Sequence, residues 1–260
     1  MGSARRPLVL VAGACLGGWV WHDVAAPLRA VGHEVYPVTL TGLGERVHLA
    51  TPETDLETHI TDVVNLLDYE GLDDAILVGH SYAGIVIAAA ADRRSERLNA
   101  VAYLDSSPLP DGMAITDVQS PEQREQQTRE VRERGEGWRW PVPDADTLAS
   151  GMFGSASGLE PTHYRLFAER GTPQPYATFT SPLRLETENA AHAARRVAIF
   201  CSDGGMDLAT LRDLVARDDP RARTFAAPDW ELHELPTGHW PMLSLAPELA
   251  ELLHQIASAT

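Results

Sequence analysis

Ser81, Asp203 and His239 supply, in that chain order, a hydroxyl, a carboxylate and an imidazole. A serine hydroxyl is a poor nucleophile until a base takes its proton, and the base needs an acid to orient it. Ser81 lies in Gly79-His80-Ser81-Tyr82-Ala83-Gly84, after the apolar run Ile76-Leu77-Val78 and before an alanine-rich helical stretch. A strand, a sharp turn and a helix in that order hold a serine out on a strained elbow. The turn brings together the residues two before and two after the serine, so both must be small, as Gly79 and Ala83 are. A helix N-terminus behind Ser81 favours a developing negative charge. The plain alternative is a serine in an ordinary strand-to-helix loop.

In an open parallel sheet the reactive groups collect beyond the carboxyl ends of the strands. Asp203 follows the strand pattern ending Phe200-Cys201-Ser202, and His239 follows Leu235-Pro236-Thr237-Gly238. Serine, then acid, then histidine is the order that goes with the nucleophile elbow. Asp105 ends an earlier strand pattern and is another possible acid, whereas Asp207 reads as the first residue of the next helix. His80 and His233 read as structural, and Cys15 sits in a glycine-rich turn without a base nearby in sequence. The chemistry also needs an oxyanion hole. Its expected donors are the N–H of Tyr82, after the nucleophile, and that of Ala14, in the glycine-rich turn leaving the first strand. Gly13, Gly17 and Gly18 do not space as G-x-G-x-x-G, and Val38-Thr39-Leu40 offers no acid for a ribose. Dinucleotide binding is therefore discounted, and no cofactor is expected.

These groups need a frame. Leu8–Val11, Glu34–Val38, Ile76–Val78 and Leu98–Leu104 read as strands. Val20–Ala30, Leu56–Leu67 (capped by Thr54-Asp55) and Tyr82–Ala91 read as the helices between them. Such alternation predicts a mostly parallel, doubly wound α/β sheet. It stops over 106–195, which is proline-rich and carries helical patterns at Pro121–Arg134, Ala145–Met152 and Pro161–Arg170. A connection of that length forms a lid or an insertion. Its many rings, Trp138, Trp140 and Phe153 among them, are expected to line a pocket or to glue the insertion to the core. Strand and helix patterns resume at Arg196–Cys201, Leu208–Ala216, Trp230–Leu235 and Pro247–Ala257.

Composition narrows the chemistry. The 260 residues carry a net charge of −16, which repels nucleic acid and anionic lipid. No lysine occurs, so a Schiff base and a P-loop lysine are both excluded. Two cysteines make no disulfide framework and no zinc-site spacing, so the expectation is a reducing, cytoplasmic setting and no metal. No apolar run is long enough to span a membrane, and the basic N-terminus is followed by too short an apolar stretch for a signal peptide.

With these residues in view the chain resembles the α/β-hydrolase superfamily, and within it the plant methyl-esterase and hydroxynitrile-lyase branch. The matching pieces are Leu8 to Trp21, Leu40-Thr41-Gly42-Leu43-Gly44-Glu45-Arg46, the elbow, Thr172-Pro173-Gln174-Pro175 and Thr237-Gly238-His239. The resemblance implies an α/β-hydrolase core over 1–106 and 191–260, with a small helical cap over 107–190. It also implies a Ser81–His239–Asp203 triad, and esterase activity on compact, often aromatic substrates. The branch usually has His-Gly where Ala12-Gly13 stands, a second histidine at Leu16, and in its lyases a lysine at Trp240. Those changes imply a less polar site floor, a reshaped pocket and no cyanohydrin cleavage. The expected protein is a monomer or homodimer that opens a small ester or lactone, aromatic or polyketide-like, through an acyl-enzyme. Elimination, epoxide opening or cyclisation on the same scaffold is the alternative. A ligand receptor built on the scaffold is a third reading.

Overall fold

A computed structural model of the chain describes residues 5–186, 194–219 and 222–259. Its frame is a sheet of six parallel strands: β1 (Leu8–Val11), β2 (Val35–Val38), β3 (Ala75–His80), β4 (Leu98–Leu104), β7 (Arg195–Cys201) and β8 (Trp230–Leu235). They lie in the order β2-β1-β3-β4-β7-β8. Every residue of β1 and of β3 is buried. Strands covered on both faces read as continuous apolar runs, which is why LVLV and AILV stand out in the sequence.

The crossovers carry helices, α1 (His22–Ala30), α2 (Leu56–Tyr69) and α3 (Ala83–Arg93) in the first half and α9 (Leu208–Ala216) in the second, and α10 (Pro241–Ser244) and α11 (Ala246–Ser258) follow the last strand. They divide the core into two layers. Leu8, Leu10 and Ile76 point to the layer containing Trp21 and Leu253, while Val9, Val11 and Leu77 point to the one containing Ile60 and Val86. That split follows the two-residue period of a strand. The Asp55 cap of α2 forms as expected, with its carboxylate accepting from Thr58 N–H at 3.0 Å. The sequence put the start of the first helix at Val20. A 3₁₀ turn, Gly18–Trp21, occupies that place, and α1 begins at His22.

Between β4 and β7 the chain forms α4 (Ile115–Val118), α5 (Pro121–Arg134), α6 (Ala145–Ala149), α7 (Pro161–Arg170) and α8 (Ala177–Thr180). Two short strands, β5 (Arg139–Trp140) and β6 (Gln174–Pro175), pair antiparallel within it. Helices α4 and α8 and this ribbon carry too few residues to show a period and have no counterpart in the sequence patterns, whereas α6 falls within the pattern at Ala145–Met152. The expected cap-to-core boundary at residues 190–191 falls outside the described residues.

Candidate active site

Ser81 follows β3 directly, with φ +52. Left-handed backbone at a non-glycine residue costs roughly 1–3 kcal/mol and persists only where its surroundings impose it. Here the neighbours do so. Ser81 N–H donates to Leu104 O at 3.1 Å, and Ser106 Oγ–H donates to Ser81 O at 2.6 Å. A Cβ on Gly79 would stand 2.9 Å from Ala83 O and 2.8 Å from Ile87 Cδ1, so a side chain there would force the turn open. On the other side a Cβ on Gly13 would stand 2.7 Å from His80 Nδ1. α3 starts two residues beyond Ser81.

His239 follows β8 through Pro236-Thr237-Gly238. Its Nε2 lies 2.8 Å from Ser81 Oγ and accepts the hydroxyl proton, while Nδ1–H donates to Asp105 Oδ2 at 2.5 Å. The carboxylate beside His239 is thus that of Asp105 and not, as expected, that of Asp203. Asp105 directly follows β4, the strand next to β3, in left-handed backbone with φ +43. Its N–H donates to Ile199 O at 2.8 Å, and its Oδ1 accepts from Cys201 N–H at 3.2 Å. Burial alone would raise its pKa. The His239 hydrogen bond and charge, with the Cys201 N–H, outweigh that and hold the carboxyl below its usual range.

Asp203, in the exposed turn after β7, accepts from Ser157 Oγ–H at 2.7 Å, and its N–H donates to Thr237 O at 3.1 Å. It fastens the insertion to the loop that carries His239. In that same stretch His239 N–H donates to Ser155 O at 2.8 Å, and Gly154, with φ +124, leaves no room for a Cβ against the His239 ring.

His80 is 1% exposed and stacks beside His239 at 4.7 Å between ring centroids. Its Nε2–H donates to His239 O at 2.7 Å. Burial pushes its pKa down to about 3, so the ring stays neutral beside the pair. The Cys15 thiol is pushed up to about 12 by burial and stays protonated, which removes it as a nucleophile.

A cavity of about 370 Å³ opens onto Ser81 and His239. Ala14 and Tyr82 line it, and among the described residues no acceptor meets either backbone N–H. Trp140, Phe153 and Trp240 line it as expected, and Leu148, Phe167 and Phe179 join them. Ala12, Leu16 and Trp138 do not. Ala12 and Leu16 are buried in the core layer below the site, and Trp138 stacks against its neighbour Arg139. The resemblance placed Ala12 and Leu16 at the site, and the ring content of the insertion placed Trp138 there. A strand places alternate residues on opposite faces, so Ala12 faces the layer of Leu8 and Leu10 and not the site. Three glutamines not expected from the sequence, Gln119, Gln123 and Gln127, also line the wall, and Gln119 Nε2–H donates to Gln127 Oε1 at 2.9 Å. Among the described residues the lining includes no arginine.

Among the described residues no group of histidine, cysteine and acidic side chains is placed to hold a metal ion, and no helix is long and apolar enough to cross a membrane.

Residues 8–252 match the alpha/beta hydrolase family. A "Carbendazim hydrolyzing esterase" of Nocardioides sp. (strain SG-4G) is 34% identical over 94% of this chain and 97% of its own. "Methylesterase 8" of Arabidopsis thaliana is 32% identical over 39% of this chain and 38% of its own. Among solved structures, an extracellular alpha/beta-hydrolase from a Paenibacillus species superposes with a TM-score of 0.76, covering 96% of this chain and 98% of that one at 18% identity. The chain belongs to the alpha/beta hydrolase family, as a relative of its plant methylesterase branch.

Proposed function

We propose that the chain is a carboxylic ester hydrolase in which Ser81 is the nucleophile, His239 the general base and Asp105 the acid that orients it. The observation that carries this reading is the unbroken hydrogen-bond line from Ser81 Oγ to His239 to Asp105. The Nδ1–H bond fixes the tautomer, so Nε2 is free to take the serine proton. Ser81 Oγ then attacks the ester carbonyl, and the carbonyl electron pair moves onto oxygen. The Ala14 and Tyr82 N–H groups and the N-terminus of α3 receive that charge. One such donor is worth roughly 10²–10³ in rate. His239 returns the proton to the departing alcohol. Water, deprotonated by the same nitrogen, releases the acid.

The cavity supports a substrate class. Its wall is largely aromatic and aliphatic, with the three glutamines and Ser106 and Ser107 as its uncharged polar part. Without a cation to meet a carboxylate, it suits a compact, uncharged ester with a flat apolar part. The anionic product then leaves a pocket that offers it no ion pair. The segment between β4 and β7 serves as the cap, since Trp140, Phe153, Phe167 and Phe179 all come from it. With Ala12 and Leu16 in the core, two of the three departures from the branch pattern lie outside the cavity lining.

Ser81→Ala tests the assignment. The variant is expected to keep its fold by circular dichroism and to lose turnover of p-nitrophenyl acetate by at least about 10³-fold. Retained activity would refute it.

A further inference from the structure

The turn that carries Ala14 is not held by the sheet alone. Cys15, the next residue, has φ +63, and both its backbone groups are taken by the insertion. Its N–H donates to Gln174 Oε1 at 2.9 Å, and its carbonyl accepts from Thr172 N–H at 3.0 Å. Thr172 is anchored in turn, because its Oγ1 accepts from Gly44 N–H at 2.9 Å. Gln174 is completely buried. Its Nε2–H donates to Thr178 Oγ1 at 2.8 Å, and Thr178 donates onward to Pro175 O at 2.6 Å. The Tyr82 hydroxyl, behind the other expected donor, donates to His59 Nδ1 at 2.9 Å. His59 Nε2–H donates to Thr41 O at 2.8 Å. One buried carboxamide therefore holds the backbone directly after Ala14.

We propose that Gln174 is a positioning residue for the oxyanion hole. It pins the Cys15 N–H, in the peptide next to the one that carries the Ala14 N–H, so the turn holding that donor is set before substrate arrives. Preorganised donors stabilise an oxyanion because they need no rearrangement when the charge forms. The same carboxamide sits in β6, whose partner strand β5 carries Trp140 of the cavity wall. The turn that carries Ala14 and the wall of the pocket thus share one fixed point. A buried glutamine whose two ends are both bonded also fills space and satisfies polar groups, and the test must separate that service from positioning.

The inference rests on Ser81 being the nucleophile with Ala14 and Tyr82 as donors, so the experiment reports on both. The probe is an aryl trifluoromethyl ketone. Ser81 Oγ bonds to its carbonyl carbon, the serine proton passes to His239, and the carbonyl pair becomes an oxyanion in the hole. The reference ligand is the corresponding secondary alcohol, which fills the same pocket without forming an oxyanion. Gln174→Met keeps the volume and removes both hydrogen bonds. It is expected to lower kcat for p-nitrophenyl acetate by about 10- to 100-fold, with KM within about threefold, because displaced donors lose part of the 10²–10³ that a missing one costs. Ketone affinity should fall by a similar factor and alcohol affinity should hold. Gln174→Asn, polar but too short to span the gap, must show the same split and serves alone if the methionine variant does not fold.

Equal loss of ketone and alcohol binding, or a change in KM alone, would make Gln174 a packing residue and overturn the proposal. Unchanged ketone binding and kcat in both variants would overturn it too. If the unaltered protein fails to form the Ser81 adduct, the nucleophile assignment itself falls and the positioning role falls with it.

Discussion

The turns after β4 and β7 look alike in sequence and do opposite work. Each ends a buried parallel strand, and each offers an aspartate within two residues of the strand's end. After β4 the chain turns at once through left-handed backbone at Asp105, and the carboxylate is drawn under the strand ends between Cys201 N–H and His239. After β7 a 3₁₀ turn, Ser202–Gly204, carries Asp203 outward, where it is exposed and holds a serine of the insertion. The path of the backbone after the strand, not residue type, separates a carboxylate set against His239 from one that fastens a loop.

Asp105→Asn breaks that difference most severely. The variant keeps a hydrogen-bonding side chain but can favour the wrong histidine tautomer, so kcat should fall by about 10³- to 10⁴-fold. Steady-state kinetics on an aryl ester checks it, and a loss under tenfold would return the acid's role to another residue. Gly154→Ala sharpens the comparison from the insertion's side. With φ +124 and the His239 ring in the way, an added methyl must displace one or the other. A shift of about 1 Å at the base is worth about 10²-fold in kcat. An unaltered rate would show that the insertion does not bear on the base.

Acid should unfold the protein through groups that stay neutral inside it. Burial pushes the His59 pKa down to about 4 and that of His80 to about 3. The unfolded chain binds these protons near pH 6.5, so stability is full above that pH and drains as pH falls toward the folded values. Each histidine should remove about 2 kcal/mol between pH 7 and pH 5. The Asp105 contribution has the sign expected of a depressed carboxyl, present above about pH 4 and lost only below it. Urea unfolding at the two pH values measures the histidine loss, and equal stability would mean these rings are not held neutral. The smallest effect is expected at Asp203→Asn. One exposed hydrogen bond is worth about 1 kcal/mol, so kcat should change by no more than about fivefold.

Much of this was legible before any coordinates. Val9, Leu77 and their neighbours declare buried parallel strands, and Leu98–Leu104 and Trp230–Leu235 match their sequence limits. The elbow was readable because Gly79 and Ala83 must be small for a reason that geometry imposes on any sequence. Asp105 was visible only as an alternative. Apolar periodicity marks where a strand ends but not which way the next residue turns, and nothing in Leu-Asp-Ser-Ser announces a left-handed φ. Gln174 was equally hidden as a partner of Cys15, because the two stand 159 positions apart and their bond depends on how the insertion folds back. Local rules find local structure. Contacts closed by a long connection come from packing.

Reaction with a fluorophosphonate puts the central claim to the most direct trial. Intact-mass and peptide mapping should find one adduct, on Ser81. Its rate of formation should fall by orders of magnitude in Asp105→Asn and stay within a few-fold of the parent in Asp203→Asn. An adduct on any other residue, or labelling of Ser81 at an unchanged rate without Asp105, would contradict the account.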